Sequence, residues 1–264
     1  MRRTVQLLAI AVAIAGCLQV HSQDARAIVE QAARTELADD AADHSHWLYY
    51  EAEKRPGNAV KQWVAEAADG NLTRVVEENG QAVSEEEQRS RMDSFAASKS
   101  AQAKQRKSGQ HDDAQATEML KTLPRAFLWT KTSDENGNTT LHFRPDPAFQ
   151  PPSYEERVFA AMEGDLIVDD EQRRIVSLKG TLIHSVKFGG GLLGYLEAGG
   201  TFDVERRETA KGIWQIVETH VHIQGRALFF KSIGEQEDDV KSKLKQLPDD
   251  ITLAQAEKEL LAER

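Results

Sequence analysis

Only one cysteine, Cys17, occurs among the 264 residues. No intrachain disulfide can form, so the fold must rest on its packed core. A basic excess is also missing: 33 Lys and Arg stand against 43 Asp and Glu, a formal charge of −10. Without a basic stripe, a nucleic-acid partner is not expected. Long apolar runs are missing after the first few residues, and charged residues make up 29% of the chain, which excludes a bundle of membrane helices. No G-x-S-x-G or H-E-x-x-H pattern and no Lys-Ser/Thr after a glycine loop is present. The sequence therefore offers no visible nucleophile, base or metal cluster, and no enzyme or cofactor is expected.

What is present begins at the start of the chain. Arg2 and Arg3 precede an apolar run from Val5 to Ala15, followed by small residues. That order is the order of a secretory signal peptide, and the run is too short to span a bilayer. Ile14-Ala15-Gly16-Cys17 resembles the lipobox of bacterial lipoproteins. The resemblance implies a signal peptide of residues 1–16, lipidation of Cys17 and a membrane anchor made of several acyl chains. Leu18 in place of Asp implies that no inner-membrane retention signal follows. The alternative is ordinary cleavage after Ser22, with residues 1–22 removed. Either route predicts an exported protein, in the periplasm or at the outer membrane of a Gram-negative bacterium.

Apolar residues from Asp24 to Leu37 recur at helical spacing. "HWLYYEAE" reads as a strand, and Asp69-Gly70 and Asn79-Gly80 mark turns between short strands. Ser84 and Glu87 have the spacing of a capping box. They open a polar helical excursion over residues 84–123, exposed as far as Lys107, with a second helix from Asp112 to Leu123 that Pro124 should stop. From Ala126 the pattern is hairpins, turning at Asn136-Gly137, Asp169-Asp170 and Lys211-Gly212, with Gly225 as a candidate bulge. The proline-dense "RPDPAFQPPSYEERV" suggests an extended crossing. Residues 23–233 thus read as a single α+β domain with an antiparallel sheet, and residues 234–264 as a polar C-terminal tail ending in a helix near Leu253 to Leu261.

"FGGGLLGYLEAGG" places Gly189, Gly191 and Gly194 at dinucleotide-loop spacing. The following residues are too few before Gly199-Gly200 to form the helix whose amides would face a pyrophosphate. An apolar connection between strands that caps the core is expected instead. His220 and His222, like His44 and His46, could share a strand face, but both pairs are expected as solvated polar side chains rather than as a metal site.

Five stretches together are similar to a family of exported acidobacterial-type proteins whose activity is uncharacterised. They are "LTRVVEENGQAVSEEEQ", "LPRAFLWT", "FRPDPAFQPPSYEERVFAAMEGDLIVDD", "VKFGGGLLGYLEAGGTF" and "GRALFFKSI", and the likeness runs from about Leu72 to Ile233. That family is in turn similar to periplasmic lipoprotein carriers and outer-membrane lipoprotein-sorting proteins. The resemblance implies a curved antiparallel sheet, an incomplete barrel, with flanking helices and a helical lid around an apolar cavity. It implies a non-catalytic carrier whose partner is a lipid or an acylated protein. Trp47, Tyr49, Trp63, Phe127, Trp129, Phe143 and Trp214 are the candidate cavity residues, with ordinary core packing as the alternative for each. The alternative function is a structural or protein-interaction role in the envelope, without a ligand cavity.

Overall fold

The computed structural model describes residues 24–151, 153–189, 194–227 and 236–264. Helix α1 spans 24–42. Strands β1 (His46–Arg55), β2 (Asn58–Ala65), β3 (Leu72–Glu78) and β4 (Gln81–Ala82) follow, then helices α2 (Glu85–Ala97) and α3 (Lys99–Ala126). Strands β5 (Phe127–Glu135) and β6 (Asn138–Pro145) lead to α4 (Tyr154–Phe159). Next come β7 (Met162–Asp169), β8 (Ile175–Leu182), β9 (Val186–Phe188), β10 (Gly194–Leu196), β11 (Thr201–Ala210) and β12 (Ile213–His222). The chain closes with β13 (Gly225–Ala227), β14 (Glu237–Leu247) and α5 (Leu253–Ala262).

The fold is α+β. Eleven strands form one antiparallel sheet in the order β4-β3-β2-β1-β14-β12-β11-β8-β7-β6-β5, and β13-β10-β9 form a second, smaller sheet. β4 and β5 are the two edges of the large sheet, which is therefore not closed into a barrel. Two-residue Asn-Gly turns set the register of two hairpins: Asn79 and Gly80 sit at φ 52° and 77°, Asn136 and Gly137 at φ 56° and 78°. Positive φ at both positions matches the right-handed twist of the flanking strands. At Gly164, opposite Gly180, β7 and β8 run so close that an added Cβ would lie 2.0 Å from the Lys179 carbonyl.

Apolar residues of α1, the end of α3 and α4 pack with β5–β8 and the small sheet. Val29, Leu123, Trp129, Leu141, Phe143, Phe159, Leu166, Phe188 and Leu196 meet there. Phe127, Trp129 and Phe143 pack ring against ring at centroid distances of 4.7 to 5.8 Å. Helices α2 and α5 cover the other half of the sheet, where Met92, Leu253, Ala256 and Leu260 meet Leu48, Trp63 and Leu72. Only Gln88 and Met92 of α2 are buried, so this helix is held by few apolar contacts and by its N-terminal cap.

Several expectations change. The charged stretch expected as a tail is strand β14, which pairs with both β1 and β12 and joins the N-terminal strands to the later ones. Its charges are tolerated because ion pairs, not apolar contacts, cover much of it: Asp238 accepts from His220 and His222. The excursion is helical as expected, but its second helix begins at Lys99 rather than Asp112 and runs unbroken for 28 residues. Pro124 lies in the last turn, where the helix runs two residues further before ending. Ser84 does cap α2 by accepting the Glu87 N–H at 3.2 Å, but the Glu87 carboxylate turns to Arg91 at 2.6 Å. Complete capping boxes occur instead at Ser153/Glu156 and Thr252/Gln255, the first of them making α4 out of part of the proline-dense crossing. Gly225 opens β13 rather than a bulge, and its bare Cα admits the Tyr195 carbonyl.

Candidate functional site

A groove of about 650 Å³ runs between α1, the C-terminal half of α3 and the sheet. Its helical wall is Ala116, Met119, Leu120 and Leu123 of α3, which recur at helical spacing and so share one face. Its floor is Ile175 and Leu178 of β8, Val204 of β11, and Ile213, Trp214 and Ile216 of β12, with Phe159 at one side. Large apolar side chains left exposed among the described residues include Met119 and Ile216, each 45% accessible, and both line this groove. Over residues 106–114, α3 is exposed all round. Its N-terminal turns are tied to the β2–β3 connection by Gln105, which accepts from Asn71 N–H at 2.7 Å and donates back to Asn71 O at 3.0 Å. Its C-terminal end is tied to α4 by Thr122, which donates to Glu156 at 2.7 Å.

One end of the groove is polar and largely buried. Glu36 of α1, 3% exposed, accepts the Ile175 N–H at 2.7 Å and an Arg174 N–H at 2.8 Å, and it pairs with Arg206. Burial pushes the Glu36 carboxyl up, but the two guanidiniums and the Ile175 amide together hold it below its ordinary value. Arg174 also pairs with Asp39 and donates to the Gly212 carbonyl at 3.3 Å, while Arg206 donates to the Trp214 carbonyl at 3.2 Å. The Arg174 Nε–H is buried and has no acceptor among the described residues. Asp40, Asp43 and Lys241 lie on the lining further out. Beside this rim, burial raises Glu66 to about 7 and Asp239 to about 6; Lys241 lowers both, and Glu51 pushes both up.

Six of the seven aromatic residues expected at a cavity do not line this groove. Phe127, Trp129 and Phe143 belong to the first core cluster, Trp63 to the second, and Trp47 and Tyr49 to a third with Val64. All six are under 9% exposed and serve as packed core. Only Trp214 faces the groove. The sequence could not separate these roles, because a core aromatic and a cavity aromatic share the same strand alternation. The groove residues that sequence reasoning missed, Met119 and Ile216, had a signal in part: within the expected helix from Asp112 to Leu123, Met119 shares helical spacing with Ala116, Leu120 and Leu123. The first part of the polar excursion forms α2, which packs elsewhere; the groove is covered by the later, apolar part of α3.

Other candidate chemistry resolves into structure. The glycine-rich stretch is the β9–β10 hairpin, with Phe188 opposite Gly194. Strand β10 stands where a nucleotide cradle needs a helix, and residues 190–193 lie outside the described residues. Phe188 and Leu196 do cap the core, at 1% and 0% exposed, whereas Tyr195 faces solvent. His142, Asp165, Lys179, Asp203, His220 and Asp238 lie directly opposite one another in successive strands. This rung of alternating sign lies on a solvated sheet face and favours one register over its neighbours. The Asp238 hydrogen bond raises the His220 pKa, and the same bond lowers that of Asp238. Among the described residues no group of three or more His, Cys, Asp or Glu is arranged to hold a metal ion, and no helix is long and apolar enough to cross a membrane. Cys17 and the segment expected as a signal peptide lie outside the described residues.

Comparison of the chain with protein-family models, curated proteins and solved structures finds no match.

Proposed function

We propose that the chain is an exported cell-envelope binding module that holds a lipid or an acylated ligand in the groove between α1 and α3, without a catalytic step. The observation that carries this reading is the groove itself: about 650 Å³, with an apolar floor and with Met119 and Ile216 left exposed on its lining. Its size falls within the range of small-molecule sites, which are mostly apolar with a few placed polar groups. Contiguous apolar surface, here the face of α3 with Met119 against the β12 residues with Ile216, is the kind of surface that ligand grooves present. Bulges within β3, β5, β11, β12 and β14 bend strands locally and support a curved, carrier-like sheet. Lipidation of Cys17 would place the groove at a membrane surface, where such ligands reside.

The test is native mass spectrometry of the full chain exported from a bacterial host, followed by organic extraction. A stoichiometric lipid that Met119→Asp removes would support the reading. A clean apo mass, unchanged after incubation with phospholipid and acyl peptides, would overturn it. That result would favour a surface-acting interaction protein, for which the all-round exposure of α3 over 106–114 is the relevant feature.

A further inference from the structure

The buried polar end of the groove carries more donors than its own acceptors take up. Two guanidiniums, those of Arg174 and Arg206, meet a single buried carboxylate, Glu36. Both Glu36 oxygens are already occupied, one by Ile175 N–H and the other by the two arginines. Asp39, the other carboxylate on Arg174, is 46% exposed, so solvent weakens its compensation. Carbonyls of Gly212 and Trp214 take two further N–H groups. The Arg174 Nε–H is left buried without an acceptor, in a side chain only 5% exposed. An unmet buried donor of this kind carries a desolvation penalty, larger on a charged group. Arg206, 18% exposed, is the more accessible of the two. Next to these cations lie Val204, Ile213 and Ile216, and across from them Met119 and Leu120. The groove therefore has a polar end that presents guanidinium donors and an apolar length.

Resting on the groove reading above, we propose that the ligand is a single-chain amphiphile with an anionic head, its carboxylate or phosphate oxygens accepting from Arg174 and Arg206 and its chain lying between α3 and the sheet. Planar guanidiniums suit such heads because they donate two parallel N–H bonds to two oxygens. One chain rather than two follows from the volume, which matches one drug-sized molecule. Asp40 and Asp43, on the outer lining, disfavour an anion anywhere but at the arginine end.

The test compares dodecanoate, dodecyl phosphate, dodecanol and dodecyltrimethylammonium, each below its micelle concentration, by titration calorimetry on the delipidated full chain at pH 8. The two anions should bind at least about tenfold tighter than the alcohol, and the ammonium weakest. Arg206→Gln should bring the anions to within about threefold of the alcohol while leaving alcohol binding in place. Lys179→Gln, which removes the same charge on the opposite sheet face, should leave the preference unchanged. Met119→Asp, at an exposed position, should weaken every probe. Equal binding of anions and alcohol would overturn the headgroup assignment and leave the groove reading standing. No binding by any probe would overturn both. The comparison of probes on the unmodified chain decides the matter even if Arg206→Gln does not fold.

Discussion

Replacing Glu66 with Gln should remove a specific part of the protein's pH-dependent stability. Glu66 follows β2, is half-buried, and accepts the Trp47 N–H at 2.9 Å. Burial raises its carboxyl from 4.5 to about 7; the negative charges of Asp43 and Glu51 push the same way, while the Trp47 amide and Lys241 resist. Below pH 4.5 the folded and unfolded chains are both protonated at this position, and the raised value has no effect. Between 4.5 and 7 the unfolded chain gives up the proton while the folded chain retains it, so stability falls as pH rises. A rise from 4.5 to about 7 corresponds to about 3 kcal/mol lost by pH 8. Gln keeps an oxygen for the Trp47 amide but cannot ionise. Glu66→Gln should therefore match the parent near pH 4.5 and exceed it by about 3 kcal/mol at pH 8. Urea unfolding followed by tryptophan fluorescence at pH 4.5, 6 and 8 measures this. Comparing variant with parent at each pH cancels the opposite contributions of His220, whose raised pKa favours the fold at low pH, and Asp238, whose lowered pKa favours it at higher pH. A difference that stays constant with pH, or shrinks as pH rises, would refute the burial argument.

Further outcomes follow from other sites. Asp239→Asn should show the same sign over a lower window, from 3.8 to about 6, because burial and Glu51 raise this carboxyl too; the same urea series reads it. Glu36→Ala should cost about 3–5 kcal/mol, since it leaves two largely buried guanidiniums with less compensation, and a thermal melt would reveal a smaller effect. Gly164→Ala should cost about 3 kcal/mol or more, because its Cβ would meet backbone at 2.0 Å that cannot yield; an unchanged melting temperature would contradict that close approach. Gly109→Ala, where a Cβ meets nothing within 4 Å on an exposed helix, should instead stabilise by about 0.5–1 kcal/mol.

Much of the local structure was legible because it depends on neighbours in sequence. The Asn79-Gly80 and Asn136-Gly137 turns demand positive φ and announce it in their residue types. The Ser84 cap, the helix from residue 24 and the hairpins of β5–β6 and β11–β12 follow from short-range chemistry and period. Strand β14 was not legible, since "EDDVKSKLKQL" lacks the apolar alternation by which strands are recognised. Its place is assigned by partners far away in the chain: Lys54 and His220 both lie opposite Asp238. The groove was illegible for a similar reason, since Glu36, Arg174 and Arg206 are separated by more than a hundred residues from first to last.

By itself, then, the sequence determined an α+β chain of antiparallel hairpins without disulfides, and argued against a nucleotide cradle at the glycines, because turn chemistry and helix length are local properties. Which aromatics became core, where the charged last strand entered the sheet, and that two arginines and one glutamate meet beside an apolar groove were decided only in the tertiary structure. Those outcomes depend on which faces meet across the sheet, and burial and desolvation exist only once distant segments have packed.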